Sequence, residues 1–404
     1  MRFLPFILFC SVLALAQPQQ IAKPPRVFLL DAKLLQHERE VALAHPDQPN
    51  EVAKAARADA DKAISVGPFS VMHKNVTPPS GDKHDYMSQA PYFWPNPATP
   101  NHLPYIRRDG ERNPEIKGIS DHDEMSKMSS AVRALALGYY LTNNEDYAAR
   151  AVLLLRTWFL DPTTKMNPNL EYAQAIPGIN TGRGIGIIES NGLTAVVDAA
   201  GLLEGSKHWT SADNEALQRW FNSFLTWLQT SQHGKDESDA KNNHGSFYDV
   251  QVSDFGLFVE KRDLAETTLQ NAQEKRIARQ IEPDGKQPLE LARTKSFSYS
   301  AFNLRALTEL AILGEHVNVD LWHFETKDGR SIRRALDFLI PYALGEQRWE
   351  YKQIEPINGE DLAGPLLEAA SVFNVSQYDA DAKRLAAGTH NVNLVMLQAA
   401  EKTD

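Results

Sequence analysis

The chain is almost devoid of cysteine: its 404 residues include one, Cys10. That residue sits in an apolar run from Phe3 to Leu15, which follows Met1-Arg2 and leads into Ala14-Leu15-Ala16. A charged start, a greasy middle and small residues at the cleavage point are the order of a signal peptide. Residues 1–16 are therefore expected to be removed, leaving a secreted or periplasmic protein with no disulfide and no thiolate nucleophile. Phe9 is too bulky for a lipoprotein cleavage box, so no lipid anchor is expected. The run is shorter than the ~20 residues that cross a bilayer, and no later stretch approaches its apolar length, so no membrane anchor is expected either.

Positive charge in excess is also missing. A formal net charge of -10 argues against a general nucleic-acid binder, which needs a basic face to displace counterions from phosphates. It leaves room for an anionic substrate, because a local cationic cleft can override a negative average. Familiar catalytic signatures are absent: there is no HExxH, no phosphate-binding GxxxxGK(S/T) and no GxSxG elbow. Gly182-Arg183-Gly184-Ile185-Gly186 follows Pro177 and a polar loop, not a predicted strand, so it is not read as a dinucleotide fingerprint. His122-Asp123-Glu124 reads as a helix start in preference to a metal site. Neither metal nor cofactor is expected.

What is present is helical spacing, in segment after segment. Leu217, Trp220, Phe221, Phe224, Leu225 and Leu228 recur at intervals of three and four, one buried helix face. Val132 to Leu141, Ala148 to Leu160, Leu304 to Leu313 and Ile332 to Ile340 read the same way. Ser211 with Asp213, and Asp121 with Glu124 at capping-box spacing, mark helix starts, while Asp161-Pro162 and Pro341 mark stops. Long polar or proline-rich connections span Val66 to Pro114, Thr163 to Gly186 and Gly234 to Gly245. Loops of that length in a compact domain are usually functional or disordered. No interdomain linker or repeat is evident, and a series of helical hairpins closing into a ring suits the pattern.

Three segments hold the residues able to do chemistry. Lys241-Asn242-Asn243-His244-Gly245-Ser246-Phe247-Tyr248 sets amides, an imidazole and hydroxyls at a loop-to-helix junction, where free backbone N–H groups favour an anion. The plainer alternative is that Asn243 and Ser246 cap a helix and His244 lies on the surface. In Glu290 to Tyr299, Arg293 and Lys295 precede a tyrosine. A tyrosine titrates near ~10 and becomes a base at neutral pH only where positive charge lowers that value. Alternatively Tyr299 is a core residue and Arg293 pairs with Glu290. Tyr86 to Pro95 gathers Gln89, Tyr92, Phe93 and Trp94, which suit sugar stacking or the anchoring of a loop.

Taken in order, these segments resemble the alginate lyase domain family, which includes polysaccharide lyase families 5 and 38. The resemblance is carried by Tyr86 to Pro95, Gly182-Arg183 with Gly186-Ile187-Ile188-Glu189, Asn242-Asn243-His244, and Arg293-Thr294 with Tyr299. It implies an all-α fold, an incomplete (α/α) toroid filling residues 17–404 as a single domain. It also implies β-elimination next to a uronic acid, with an acidic polysaccharide as partner: mannuronate-rich alginate first, glucuronan second. By residue analogy Tyr299, His244, Asn243 and Arg293 are catalytic, with Gln89, Tyr92, Trp94, Arg183, Asn242 and Tyr248 binding substrate. Where the C5 proton and O4 share a face of the sugar, Tyr299 can serve as base and acid; where they do not, His244 is the base and Tyr299 the acid. Two rivals remain: a hydrolase using two carboxylates from among Glu189, Glu290 and Asp249, and a glycan-binding protein without catalysis.

Overall fold

The structure, a computed structural model, describes residues 23–387 together with residues 391 and 395. The expected signal peptide lies outside the described residues. Apart from two long connections, helices follow one another with short turns, and their starts are locally encoded: Asp31 and Asn50 accept backbone N–H groups at the heads of Ala32–Ala44 and Glu51–Ala63. The Ser211–Thr230 helix has a reciprocal capping box, made by Thr210 and Asp213, one residue earlier than the expected Ser211. The Ile332–Ala343 helix passes through Pro341 and continues for two more residues.

These helices build an incomplete α/α toroid. Its inner members are Asp121–Thr142, Thr194–Leu202, Asn243–Phe258 and Ser296–Glu315, buried over most of their length. Asn243–Phe258 is packed by Ser211–Thr230, Arg262–Ala272 and Ser296–Glu315, and the last of these also meets Ile332–Ala343 and Ala363–Phe373. Gly184–Leu202 is apolar enough over 19 residues to match a membrane span, contrary to expectation, yet it packs within the ring. Phe159, Trp220, Phe221 and Phe255 form an aromatic core, with ring centroids 4.7 Å apart for Phe159 and Trp220 and 4.9 Å for Phe221 and Phe255. Edge-to-face and tilted pairs of this kind add to the area they bury.

The long connections are folded over one end of the ring. Met87–Gln89 pairs in parallel with Tyr172–Ala175, and Phe93–Trp94 pairs antiparallel with Ile106–Arg107. A fully buried ion pair pins them: Lys74 Nζ lies 2.9 Å from Asp121, whose carboxylate also accepts the Met87 N–H at 3.0 Å. Burial pushes the Asp121 carboxyl up to about 6 against the pull of Lys74. The expected capping role of Asp121 and Glu124 is thus replaced. Ser120 occupies the cap without a side-chain bond, and Glu124 accepts from the Ser70 N–H at 2.8 Å instead. Tertiary partners outcompeted the local cap because a carboxylate sealed from water must find charge or several donors. The Gly234 to Gly245 segment is less open than expected, since Gln232–Ser238 is helical.

Candidate active site

Between the loops and the inner helices lies a cleft of about 1540 Å³. His244 stands at its wall in the first turn of Asn243–Phe258. The junction is tight, and Gly245 makes it so: a Cβ there would meet the Ala240 carbonyl at 2.1 Å and Arg276 Nη1 at 2.3 Å. Arg276, carried on the π-turn Gln273–Ile277, donates to the Ser238 and Ala240 carbonyls at 2.8 and 2.7 Å and pairs with buried Asp249 at 2.6 Å. This cluster fixes the loop that leads into the imidazole. His244 Nδ1 lies 2.7 Å from Oε1 of Glu237, which is buried. A carboxylate at Nδ1 stabilises the tautomer with its proton there, which leaves Nε2 as an acceptor.

Tyr299 lies in the first turn of Ser296–Glu315 and donates to the Tyr92 hydroxyl at 2.8 Å. The Arg293 guanidinium covers its ring, 3.7 Å from the centroid. Arg293 does not pair with Glu290. Its Nε reaches both Asp109 oxygens at 3.2 and 3.1 Å and its Nη2 reaches one at 2.8 Å. Burial would raise the Asp109 carboxyl, but hydrogen bonds from Arg293 and the Thr294 N–H outweigh it and hold the carboxyl well below its usual range. The expectation that nearby cations lower Tyr299 is corrected. Burial and the Tyr92 partner push its phenol above the ordinary value, and Arg293 offsets only part of that. In the resting enzyme Tyr299 is a phenol, not a phenolate.

Asn243 is held from below. Its backbone N–H and its Nδ2 each donate at 2.7 Å to the two oxygens of buried Glu290. A second Nδ2 hydrogen remains beyond that pair, and Asn243 and Asn242 both line the cleft. Burial raises the Glu290 carboxyl while Asn243 lowers it. Arg183 lines the cleft with Nε and Nη2 engaged by Gln174 at 3.2 and 2.7 Å and its guanidinium 5.2 Å from the Phe93 ring. Its loop reaches there because Gly182 has no side chain: a Cβ would stand 1.9 Å from the Glu171 carbonyl. Gln89 and Tyr92 line the same wall.

Two expected binding residues are elsewhere. Tyr248 is 7% exposed and donates to the Leu228 carbonyl at 3.0 Å, so it anchors two helices. Trp94 donates to the Glu111 carbonyl at 2.9 Å beneath Arg108 and is absent from the cleft wall. Trp94 follows the lining residue Phe93, and the alternation of the strand directs it away; Tyr248 stands a full turn beyond His244, where the helix has already passed into the interior. Of the carboxylates considered for hydrolysis, Glu189 lines the cleft and accepts from Tyr86 and Ser88 at 2.7 and 2.6 Å, while Asp249 and Glu290 are committed behind it. The sequence reading missed Asp109, Glu237 and the supporting role of Glu290. Glu237, seven residues before His244, had a signal in proximity; Asp109 had none.

A helical toroid whose cleft brings together an imidazole, a tyrosine, amides and guanidinium groups is that of a polysaccharide lyase. The alginate lyase family profile matches residues 70–349, and the chain belongs to that family. A solved alginate lyase from Bacteroides ovatus is 40% identical, covers 93% of this chain and 99% of its own, and superposes with a TM-score of 0.87. An alginate lyase from a Sphingomonas species shares the fold at 17% identity and a TM-score of 0.58, covering 95% of this chain and 99% of its own. A variant alginate lyase complexed with a tetrasaccharide has 19% identity and a TM-score of 0.57, with 90% and 92% covered. No curated protein matches the chain.

Proposed function

We propose that the substrate is alginate, mannuronate-rich stretches first, and that His244 and Tyr299 carry the proton transfers of β-elimination. The observation that carries this reading is the arrangement of one cleft: an imidazole fixed by Glu237 whose Nε2 has no hydrogen-bond partner among the described residues, and a tyrosine whose hydroxyl donates to Tyr92. In the elimination, the C5–H bond breaks and its electrons form the C4=C5 double bond. The C4–O4 bond breaks in turn, and O4 takes a proton. The sugar carboxylate must be neutralised for C5 to release its proton, and the Asn243 amide and Arg183 are the donors offered at the wall. Donors aimed at developing charge contribute about 10²–10³ in rate each.

The protonated state of Tyr299 suits it to be the acid. On units whose C5 proton and O4 lie on opposite faces, His244 Nε2 is the base. On same-face units, as in mannuronate, Tyr299 serves both steps: before the reaction it gives its proton to the Tyr92 hydroxyl, which releases its own to solvent, and the phenolate then takes the C5 proton and delivers it to O4. Arg293 over the ring stabilises the phenolate in either case. The N-terminal leader further proposes export to the periplasm or beyond, where a polymer too large for uptake would be met; the N-terminal sequence of the exported protein tests it. Glucuronan is the second substrate.

The reaction is tested by following ultraviolet absorbance with polymannuronate, polyguluronate and glucuronan. A rise marks unsaturated ends, and its size ranks the three. Shortened chains with saturated ends would replace lysis by hydrolysis, and unshortened chains would leave only binding.

A further inference from the structure

We propose that Arg133 and Arg305 form a second carboxylate site, which holds a uronate unit remote from the bond that is cut and makes the enzyme favour longer chains. The proposal rests on the polyuronate reading above and extends it along the cleft. From Tyr299 the inner helix turns Phe302, Arg305, Glu309 and Ile312 to the cleft at steps of three and four. Arg305 stands six residues past Tyr299, roughly 9 Å further along the helix at 1.5 Å per residue.

Its guanidinium is pre-set. It lies 5.0 Å from the Phe247 ring centroid and 5.1 Å from that of Phe302, and 43% of the side chain stays exposed. Its hydrogen bonding is nearly unspent: Nη2 is 3.5 Å from Asn191 Oδ1, and Nε, 3.5 Å from Glu309, has no hydrogen-bond partner. Arg133, on the Asp121–Thr142 helix, lines the same cleft within electrostatic range of Arg305, and makes no hydrogen bond or ion pair among the described residues.

The other interior arginines differ. Arg276 and Arg293 are each held by a carboxylate through two guanidinium nitrogens, and Arg183 by Gln174. The nearby carboxylates engage the pair only loosely: Glu309 makes a 3.5 Å ion pair with Arg305 Nε but no hydrogen bond, and Asp361 acts on Arg305 through charge alone. Asp198 directs its oxygens to the N–H groups of Phe28, Leu29 and Leu30, with Phe28 at 2.6 Å. Burial raises the Glu309 carboxyl, and Arg305 first, then Arg133, oppose this. Two neighbouring cations with unspent planar donors suit a carboxylate, which a guanidinium grips through two parallel hydrogen bonds. On a polyuronate the next carboxylates along the chain supply it.

The test measures kcat/KM for a ladder of oligomannuronates with the parent and with Arg305→Gln and Arg133→Gln, checking each fold by thermal melting. A charged hydrogen bond is worth about 1.5–3 kcal/mol, so either substitution should lower the ratio of long-chain to short-chain kcat/KM about tenfold or more. An unchanged ratio overturns the proposal, and so does an equal loss at every length, the mark of a structural role. If Arg305→Gln fails to fold because its two rings lose their partner, Arg133→Gln, which makes no such contact, decides alone. A parent inactive on every uronan would overturn the substrate reading instead, and binding of the same ladder would then decide the site.

Discussion

The Ser211–Thr230 and Asn243–Phe258 helices pack against each other and follow different rules. The outer one buries a single stripe, Leu217 through Leu228, and leaves its other face to solvent. The inner one is buried on every side except at His244, and it carries Asn243, Ser246, Asp249, Gln251, Ser253 and Asp254 into the interior. The outer helix is stabilised by its apolar face. The inner helix is held by partners far away in sequence: Glu290 for Asn243, Gln280 for Ser246, Arg276 for Asp249. Buried polar groups tolerate little displacement, and that rigidity is what a proton-transfer site requires.

The sharpest way to break the comparison is at the site itself. Tyr299→Phe removes the proposed acid and keeps the ring beneath Arg293, so kcat should fall about 10²–10⁴-fold while oligosaccharide affinity stays near that of the parent. Initial rates and calorimetric titration measure the two. A variant turning over at the parental rate would remove Tyr299 from the mechanism. Glu237→Gln should follow with a loss of about 10–100-fold, by analogy with groups that orient a reactive histidine. Here the thermal midpoint should hold, because the amide can still accept from His244.

The scaffold behind the site comes next. Asp249→Asn leaves Arg276 buried without its counter-charge, and breaking a buried pair costs about 3–5 kcal/mol. Denaturant unfolding should show a loss of that order. Activity per folded molecule should fall too, because Arg276 also holds the Ser238 and Ala240 carbonyls ahead of His244. A destabilised variant with parental kcat would separate the loop's position from this pair.

The same contrast explains what was legible in the sequence. The amphipathic stripe of Ser211–Thr230 and the run Ile332 to Ile340 declare themselves because half of each helix faces water and periodicity records it. Asn243–Phe258 has no such record, so its first residues read as a functional junction while Tyr248, one turn on, was mistaken for a binding residue. His244, Tyr299 and Arg183, which line the cleft, were singled out through an ordered resemblance, not through spacing. Asp109 was not found, since 184 residues separate it from Arg293 and nothing local marks it. Pro341 misled because it falls within the last turn of its helix, where the chain accommodates it.

The smallest expected effect is also the most specific to an inner helix. Asp254 is fully buried, neither carboxyl oxygen has a hydrogen-bond partner, and Asp198 and Glu309 are near. Burial first, then those like charges, push its carboxyl well above the usual range, and Asp198 is pushed to about 6, chiefly by burial. An acid raised in the folded state contributes stability that is complete below its unfolded value near ~3.9 and is lost as pH climbs through the folded value. Each such group therefore tilts the stability profile downward by about 1.4 kcal/mol per pH unit within its own window. For Asp198 that window runs from about 4 to about 6; for Asp254 it opens near the same unfolded value and runs upward. Asp254→Asn keeps the shape and removes the titration. The variant should match the parent at acid pH and exceed it progressively toward neutrality, with Asp198 easier to ionise once its neighbour is uncharged. Urea unfolding at a series of pH values measures it, and parallel profiles for parent and variant would show that Asp254 is not titrating in this range.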